Sequence, residues 1–153
     1  MSGLELKVPP DVVWLVVAAS MWAGAIAIPA LSIAGAVRAL VAGPLLVVGI
    51  ALIVAARVEL NRAHTTWHPT EPGRATSLVT SGVFRYSRNP TYLGMWFALG
   101  AWAVVLASPV ALALTSVFVL YLSRFQIRPE ERALTTLFGR QHDDYARRVR
   151  RWI

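Results

Sequence analysis

The sequence predicts an all-α integral membrane protein with four transmembrane helices, and two observations lead to that fold class. The chain has 153 residues, of which 56% are hydrophobic and only 15% are charged, which is too apolar for an ordinary soluble domain. Its apolar residues also form long uncharged runs, and a hydrocarbon core about 30 Å thick needs roughly 20 apolar residues per helix. We expect one membrane domain over residues 1–153, with two supporting spans in 1–60 and a loop, a helical hairpin and a tail in 61–153.

Three uncharged runs define the predicted helices. The first two runs predict helices over residues 10–31 and 36–60. The third run, residues 89–123, would be about 52 Å long as a single helix at 1.5 Å per residue, and a Ser-Pro step interrupts it. We therefore predict a tight hairpin with arms over 91–107 and 109–123, followed by an amphipathic helical tail.

Arginines predict the orientation in the membrane. Residues 57–88 hold five Arg against two Glu, residues 124–153 hold eight Arg against four acids, and the opposite side carries only Arg38. Because positively charged short loops stay in the cytosol, both termini and the 57–88 loop are expected there. Glu5, Lys7 and Asp11 argue against a cleaved signal peptide. The arginines near the C-terminus, Arg147, Arg148, Arg150 and Arg151, are interpreted as attracted to lipid headgroups. No nucleic-acid partner is implied.

One run, LVTSGVFRYSRNPTYLG at residues 78–94, places polar chemistry where cytosol meets bilayer. Gly82 permits a turn, Phe84 offers an aromatic face, and Pro90 suits the first turn of the third helix. Free N–H groups at such a helix start favour an anion. The alternative is that Arg88 and Tyr92 are only interfacial anchors.

A second run, SRFQIRPEERALTTLFG at residues 123–139, follows the fourth helix. It carries Arg124, Arg128, Glu130 and Glu131. Because the hairpin arms are antiparallel, this run and Arg88 to Pro90 are expected to be neighbours. Together they predict a pocket for a small ligand that bears both charges.

The tail offers fewer chemical groups. Apolar residues recur at helical spacing between 134 and 152, which predicts amphipathic helices that cover the pocket, with a break at Gly139 and Tyr145 in a packing role. The chain has no cysteine, so disulfides and thiolate sites are excluded. His64, His68 and His142 are interpreted as loop residues, and no metal site is expected.

These two runs resemble the isoprenylcysteine carboxyl methyltransferase and phospholipid methyltransferase superfamily. The similarity lies in the Gly-aromatic turn, the R-N-P-x-Y-x-G motif, and the E-E-x-x-L-x-x-x-F-G motif with a Tyr beyond it. It covers residues 78–153, half of the chain. Asn89 stands where the eukaryotic isoprenylcysteine enzymes usually have His. The Asn form of the motif resembles the small prokaryotic branch, which implies a bacterial-type inner membrane.

The resemblance implies an S-adenosyl-L-methionine-dependent methyltransferase, with S-adenosyl-L-homocysteine as product. Its acceptor would be lipophilic, either a small molecule or a lipid-anchored substrate with a carboxylate, thiol or amine, reached from the membrane lipid. The implied cofactor-binding residues are Leu78, Val79, Gly82, Phe84, Arg88, Asn89, Pro90, Tyr92, Gly94, Glu130 and Glu131.

The catalytic candidates follow from the chemistry of the acceptor. Arg124 or Arg128 could hold a carboxylate acceptor, which needs no base, whereas an ammonium acceptor must first lose a proton to a group such as Glu131. Two other functions stay open. One is an NADPH-dependent membrane reductase of the sterol-reductase type, and the other is a non-catalytic membrane scaffold.

Overall fold

The computed structural model describes residues 5–28, 30–65, 73 and 75–153. Within these ranges the regular elements are all helical. They are α1 (Pro10–Ala27), α2 (Gly35–Arg62), a 3₁₀ turn (Gly82–Arg85), α3 (Pro90–Leu106), α4 (Pro109–Leu122), a π-turn (Ser123–Ile127), α5 (Arg128–Phe138) and α6 (Arg140–Arg148).

Three of these helical segments are long and apolar enough to cross a membrane. They are α1, α2 and the continuous helix Pro109–Phe138, while α3 is a shorter apolar helix of 17 residues. Apolar side chains on their outer faces are widely exposed, including Leu40 at 76% and Ile26 at 69%. Because water would oppose such exposure and lipid tails would not, the chain is an integral membrane protein.

The bundle is built around α3. This helix packs most extensively on α2, and α4 packs on both α3 and α1. At the α2–α3 crossing a Cβ atom added to Gly94 would lie 2.5 Å from the Gly49 carbonyl oxygen, so the two backbones are in direct contact. Met21, Leu99 and Phe118 are fully buried between the helices. This packing sets where α3 begins relative to the end of α2.

The predicted hairpin is present, with arms within one residue of the expected boundaries. Ala107 closes it with a left-handed backbone at φ 48°, and Ser108 caps α4 by accepting a hydrogen bond from the Ala111 N–H at 3.3 Å. Pro109 then occupies the first turn, where its missing N–H costs nothing. The hairpin therefore follows from local chemistry that the sequence displays.

Two predicted boundaries differ from the structure. The first helix ends at Ala27 and not at residue 31, because the chain becomes extended at Ile28 and the Leu31 N–H donates to the Ala107 carbonyl at 2.8 Å. The second hairpin arm reaches Leu122, close to its predicted end, but the helix does not stop there. Its backbone continues through the π-turn into α5, so the second motif is an extension of the bundle.

Candidate functional site

A cavity of about 370 Å³ lies at the end of the bundle where α2 ends and α3 begins. Ligand pockets are commonly about 300–1,000 Å³, so the cavity is large enough for a small molecule. It joins the two sequence motifs. The residues proposed from the sequence that line it are Leu78, Val79, Phe84, Arg88, Asn89, Pro90, Tyr92, Glu130 and Glu131.

The first motif enters the cavity through the 3₁₀ turn. Gly82 has φ 55°, a backbone angle that favours Gly, and a Cβ atom there would lie 2.6 Å from the Glu59 side chain, which would have to shift. Ser81 donates a hydrogen bond to the same carboxylate at 2.6 Å. This contact ties the turn to the end of α2 and places Phe84 on the cavity wall.

Glu130 is held by two donors. The Tyr92 hydroxyl donates to its Oε1 at 2.5 Å, and Gln126 Nε2 donates to the same oxygen at 2.6 Å. Tyr92 is on the first turn of α3 and Glu130 is on α5, so this contact joins the two motifs directly. A carboxylate bound in this way keeps a fixed orientation toward the cavity.

Glu131 is held by two guanidinium groups. Arg88 Nη1 lies 2.9 Å from its Oε1, and Arg151 approaches both oxygens, at 3.1 Å and 2.6 Å. The hydrogen bonds to Glu131 raise the pKa of Arg151 above its ordinary value. Arg88 Nε is buried and has no hydrogen-bond partner among the described residues. Arg88 also lines the cavity, so it brings positive charge to the site beside Glu131.

The segment Arg150–Trp152 binds across both motifs, and we call it the C-terminal strap. The Arg88 N–H donates to the Arg150 carbonyl at 3.0 Å, and Asn89 Nδ2 donates to the Arg151 carbonyl at 3.0 Å. Trp152 Nε1 donates to Ser123 Oγ on the π-turn at 3.2 Å. The sequence suggested headgroup binding for Arg151, but its guanidinium is instead occupied by Glu131.

Helix α6 contributes to the cavity wall through His142 and Tyr145. Tyr145 donates a hydrogen bond from its hydroxyl to the Phe84 carbonyl at 2.7 Å, and burial raises the pKa of Tyr145 to about 12. His142 was expected in a loop but lies buried in α6, within 2.9 Å of Thr135 Oγ1. Burial and the nearby charge of Arg88 lower the pKa of His142, so its ring is neutral at pH 7.

Four residues proposed from the sequence lie outside the cavity wall. Gly82 contacts Glu59, Gly94 forms the α2–α3 crossing, and Arg124 is ion-paired with Glu5 at 3.0 Å. Arg128 begins α5 without lining the cavity. His68, which the sequence placed in a loop, lies outside the described residues.

The model of the phospholipid methyltransferase family matches residues 37–141, more than half of the chain. The chain belongs to the phospholipid methyltransferase family.

Individual relatives match part of the chain. Yeast (Saccharomyces cerevisiae) protein-S-isoprenylcysteine O-methyltransferase is 36% identical over 76 residues, which are 47% of this chain and 30% of the yeast protein. An uncharacterised protein of Haemophilus influenzae is 36% identical over 62 residues, 40% of this chain and 98% of that protein. The match to the yeast enzyme thus spans less than a third of its length.

A solved structure shares the fold of this phospholipid methyltransferase family member. It is the eukaryotic intramembrane Ras methyltransferase, an isoprenylcysteine carboxyl methyltransferase, with a TM-score of 0.52 and 19% sequence identity. The match covers 96% of this chain and 54% of the other chain. Nearly all of this chain therefore corresponds to about half of a larger membrane protein.

Sequence reasoning did not assign four further cavity residues to the site: Asp11, Arg57, His142 and Tyr145. Asp11 begins α1 and Arg57 is near the end of α2, so both are at helix ends on the side of the bundle where α3 begins. This shared position could have been recognised from the sequence. The inward direction of the α6 side chains depends on packing and had no comparable signal.

Proposed function

We propose that the chain is an S-adenosyl-L-methionine-dependent membrane methyltransferase whose methyl donor occupies the cavity. The observation that carries this proposal is the cavity itself, which joins the two motifs through the contacts Tyr92–Glu130 and Arg88–Glu131. Family membership and the shared fold support methyl transfer as the reaction class.

The cavity residues match the charges of the donor. Its sulfonium cation suits the aromatic faces of Phe84, Tyr92 and Tyr145, which all line the cavity. Its amino group suits the Glu130 carboxylate. Its carboxylate suits the positive charge of Arg88, which lines the cavity, and the free N–H groups at the start of α3. The residues present therefore fit this molecule.

The protein's main contribution is alignment and exclusion of water. When bound, S-adenosyl-L-methionine supplies an activated methyl group, which an acceptor atom takes in line with the departing sulfur. Helices α5 and α6 supply part of the cavity wall, through Leu134, His142 and Tyr145, and so limit the access of water to the reacting groups.

The proposed acceptor is a lipophilic carboxylate. Both oxygens of Glu131 already bind arginines, so Glu131 is not placed to remove a proton from an amine. A carboxylate needs no base. Arg57, and not Arg124 or Arg128, lines the cavity and is our candidate to bind it. The O-methyltransferase activity named for the yeast relative supports an oxygen acceptor.

We also propose four spans, α1 to α4, with the cavity, both termini and α5–α6 on the cytosolic side. At about 1.5 Å per residue, the 17 residues of α3 are about 25 Å long, close to the thickness of the hydrocarbon core. Arg38 caps the opposite end of the bundle, where it donates to the Ile33 carbonyl at 2.8 Å and the Val105 carbonyl at 3.3 Å. A lipophilic acceptor would reach Arg57 from the bilayer.

Calorimetry in detergent with S-adenosyl-L-homocysteine tests donor binding. Tyr92→Phe keeps the ring but removes the hydroxyl bound to Glu130, and we expect the Kd to rise about tenfold, since hydrogen bonds to charged groups contribute about 1.5–3 kcal/mol. Tyr86→Phe is the matched control, because Tyr86 is in the loop that precedes α3, is 78% exposed and does not line the cavity. Its Kd should equal that of the wild-type protein.

The same titration separates the other functions. A reductase would bind NADPH in preference to S-adenosyl-L-homocysteine, and a scaffold would bind neither. Equal affinity of the Tyr92→Phe and wild-type proteins for S-adenosyl-L-homocysteine would show that the donor binds elsewhere.

A further inference from the structure

The N-terminal segment binds the π-turn at a backbone carbonyl that lacks its usual helical hydrogen-bond donor. Pro129 has no N–H, so the Phe125 carbonyl four residues earlier lacks its usual helical donor. The Leu6 N–H donates to that carbonyl at 3.1 Å. Leu6 has φ 59°, a backbone conformation unfavourable for residues other than Gly. Tertiary contacts must therefore hold this turn in place.

Glu5 supplies those contacts. Its Oε1 lies 3.0 Å from Arg124 Nη1, and its Oε2 lies 2.6 Å from Arg132 Nη2. The Glu5 side chain is only 5% exposed, although both arginines are partly open to solvent. Because Arg124 is on the π-turn and Arg132 is on α5, one buried carboxylate joins the two sides of this irregular junction.

The junction also carries Gln126, which donates to Glu130 in the cavity at 2.6 Å. A π-turn shifts the residues that follow it around the helix axis, so its geometry decides which way Gln126 and Glu130 face. We propose that Glu5 is a positioning residue for Glu130. It fixes the π-turn through Arg124 and Arg132, and the π-turn fixes Gln126 against the Glu130 carboxylate. This inference rests on the proposed function for the role of Glu130 in donor binding.

The test uses Glu5→Gln in the full chain, with the Kd for S-adenosyl-L-homocysteine measured by calorimetry in detergent. We expect a rise of about tenfold, which corresponds to 1.4 kcal/mol. Arg132→Gln removes one of the two ion pairs and should raise the Kd about threefold, on the same scale. Asp144→Asn is the control, because it removes an exposed ion pair of 3.9 Å far from the junction and should leave the Kd unchanged.

A double-mutant cycle with Glu130→Gln separates positioning from general stability. If Glu5 acts through Glu130, adding Glu5→Gln to the Glu130→Gln protein changes the Kd less than about twofold. An equal Kd for Glu5→Gln and wild-type protein, or the full tenfold effect in the Glu130→Gln background, overturns the inference.

Hydrogen exchange without any ligand gives a second readout. The amides of residues 126–128, 130 and 131 should exchange faster in Glu5→Gln than in the wild-type protein, because the ion pairs that hold the junction are lost. Unchanged exchange there overturns the inference whatever the donor is. Absence of S-adenosyl-L-homocysteine binding by the wild-type protein overturns the proposed function, and the role of Glu5 in donor binding with it.

Discussion

Gly94→Ala tests whether Gly94 affects the cavity through the packing of α2 on α3 and not through contact with a ligand. The added Cβ would lie 2.5 Å from the Gly49 carbonyl oxygen and 2.7 Å from Ile53 Cγ1. Ordinary contact begins at 3.4 Å, so α2 and α3 would have to separate by about 0.9 Å. Overpacking of this kind costs about 1–3 kcal/mol, and the upper end applies because a backbone atom cannot move alone. Ile53 also lines the cavity, so the change would reach the site.

Thermal unfolding in detergent measures this cost. For a chain of this size, 3 kcal/mol lowers the Tm by about 6–12 °C. Gly100→Ala is the matched control on the same helix, because nothing lies within 4 Å of its added Cβ. Its Tm should stay the same or rise slightly, since Ala favours helix over Gly. Equal Tm values for Gly94→Ala and the wild-type protein would refute the tight α2–α3 crossing.

Three further predictions concern the walls of the cavity. Arg151→Gln removes one of the guanidinium groups that bind Glu131. It should weaken S-adenosyl-L-homocysteine binding about tenfold by calorimetry. An unchanged Kd would mean that the C-terminal strap does not shape the site. Tyr145→Phe removes the donor to the Phe84 carbonyl and should cost about 1 kcal/mol of unfolding free energy in denaturant titrations; no loss would contradict a buried hydrogen bond there. His142 has a lowered pKa in the folded protein, so the unfolded chain takes up a proton first and stability falls as the pH drops below about 6.5. His142→Gln should show a smaller loss of Tm between pH 7.5 and 5.5, and an equal loss would place the titration elsewhere.

Local signals in the sequence predicted the hairpin well. Pro90 and Pro109 each begin a helix, and Ser108 caps the second arm, so the boundaries depend on nearby residues alone. The same locality explains the break at Gly139, where the chain adopts φ 52°. Hairpin geometry also predicted that Arg88 to Pro90 lie near Arg128 to Glu131, and Arg88 is 2.9 Å from Glu131.

Contacts between distant segments could not be predicted in the same way. Glu5 meets Arg124 and Arg132 across more than a hundred residues, and the sequence gives no indication that these charges are partners. Arg151 likewise looked like one of several terminal arginines that bind lipid. Its contact with Glu131 depends on the path of the last residues over the cavity, which packing decides. The sequence shows which of these residues are acidic or basic, but it does not show which of them pair.

Transfer of a labelled methyl group tests the central claim most directly. The purified protein would be incubated with methyl-labelled S-adenosyl-L-methionine and a lipid extract, and the product would be treated with alkali. We predict lipophilic product whose label is released as methanol, because the methyl group forms an ester with a carboxylate. Glu130→Gln should form much less of it. Absence of labelled product would contradict the proposed methyltransferase, and alkali-stable label would show that the acceptor is an amine or a thiol.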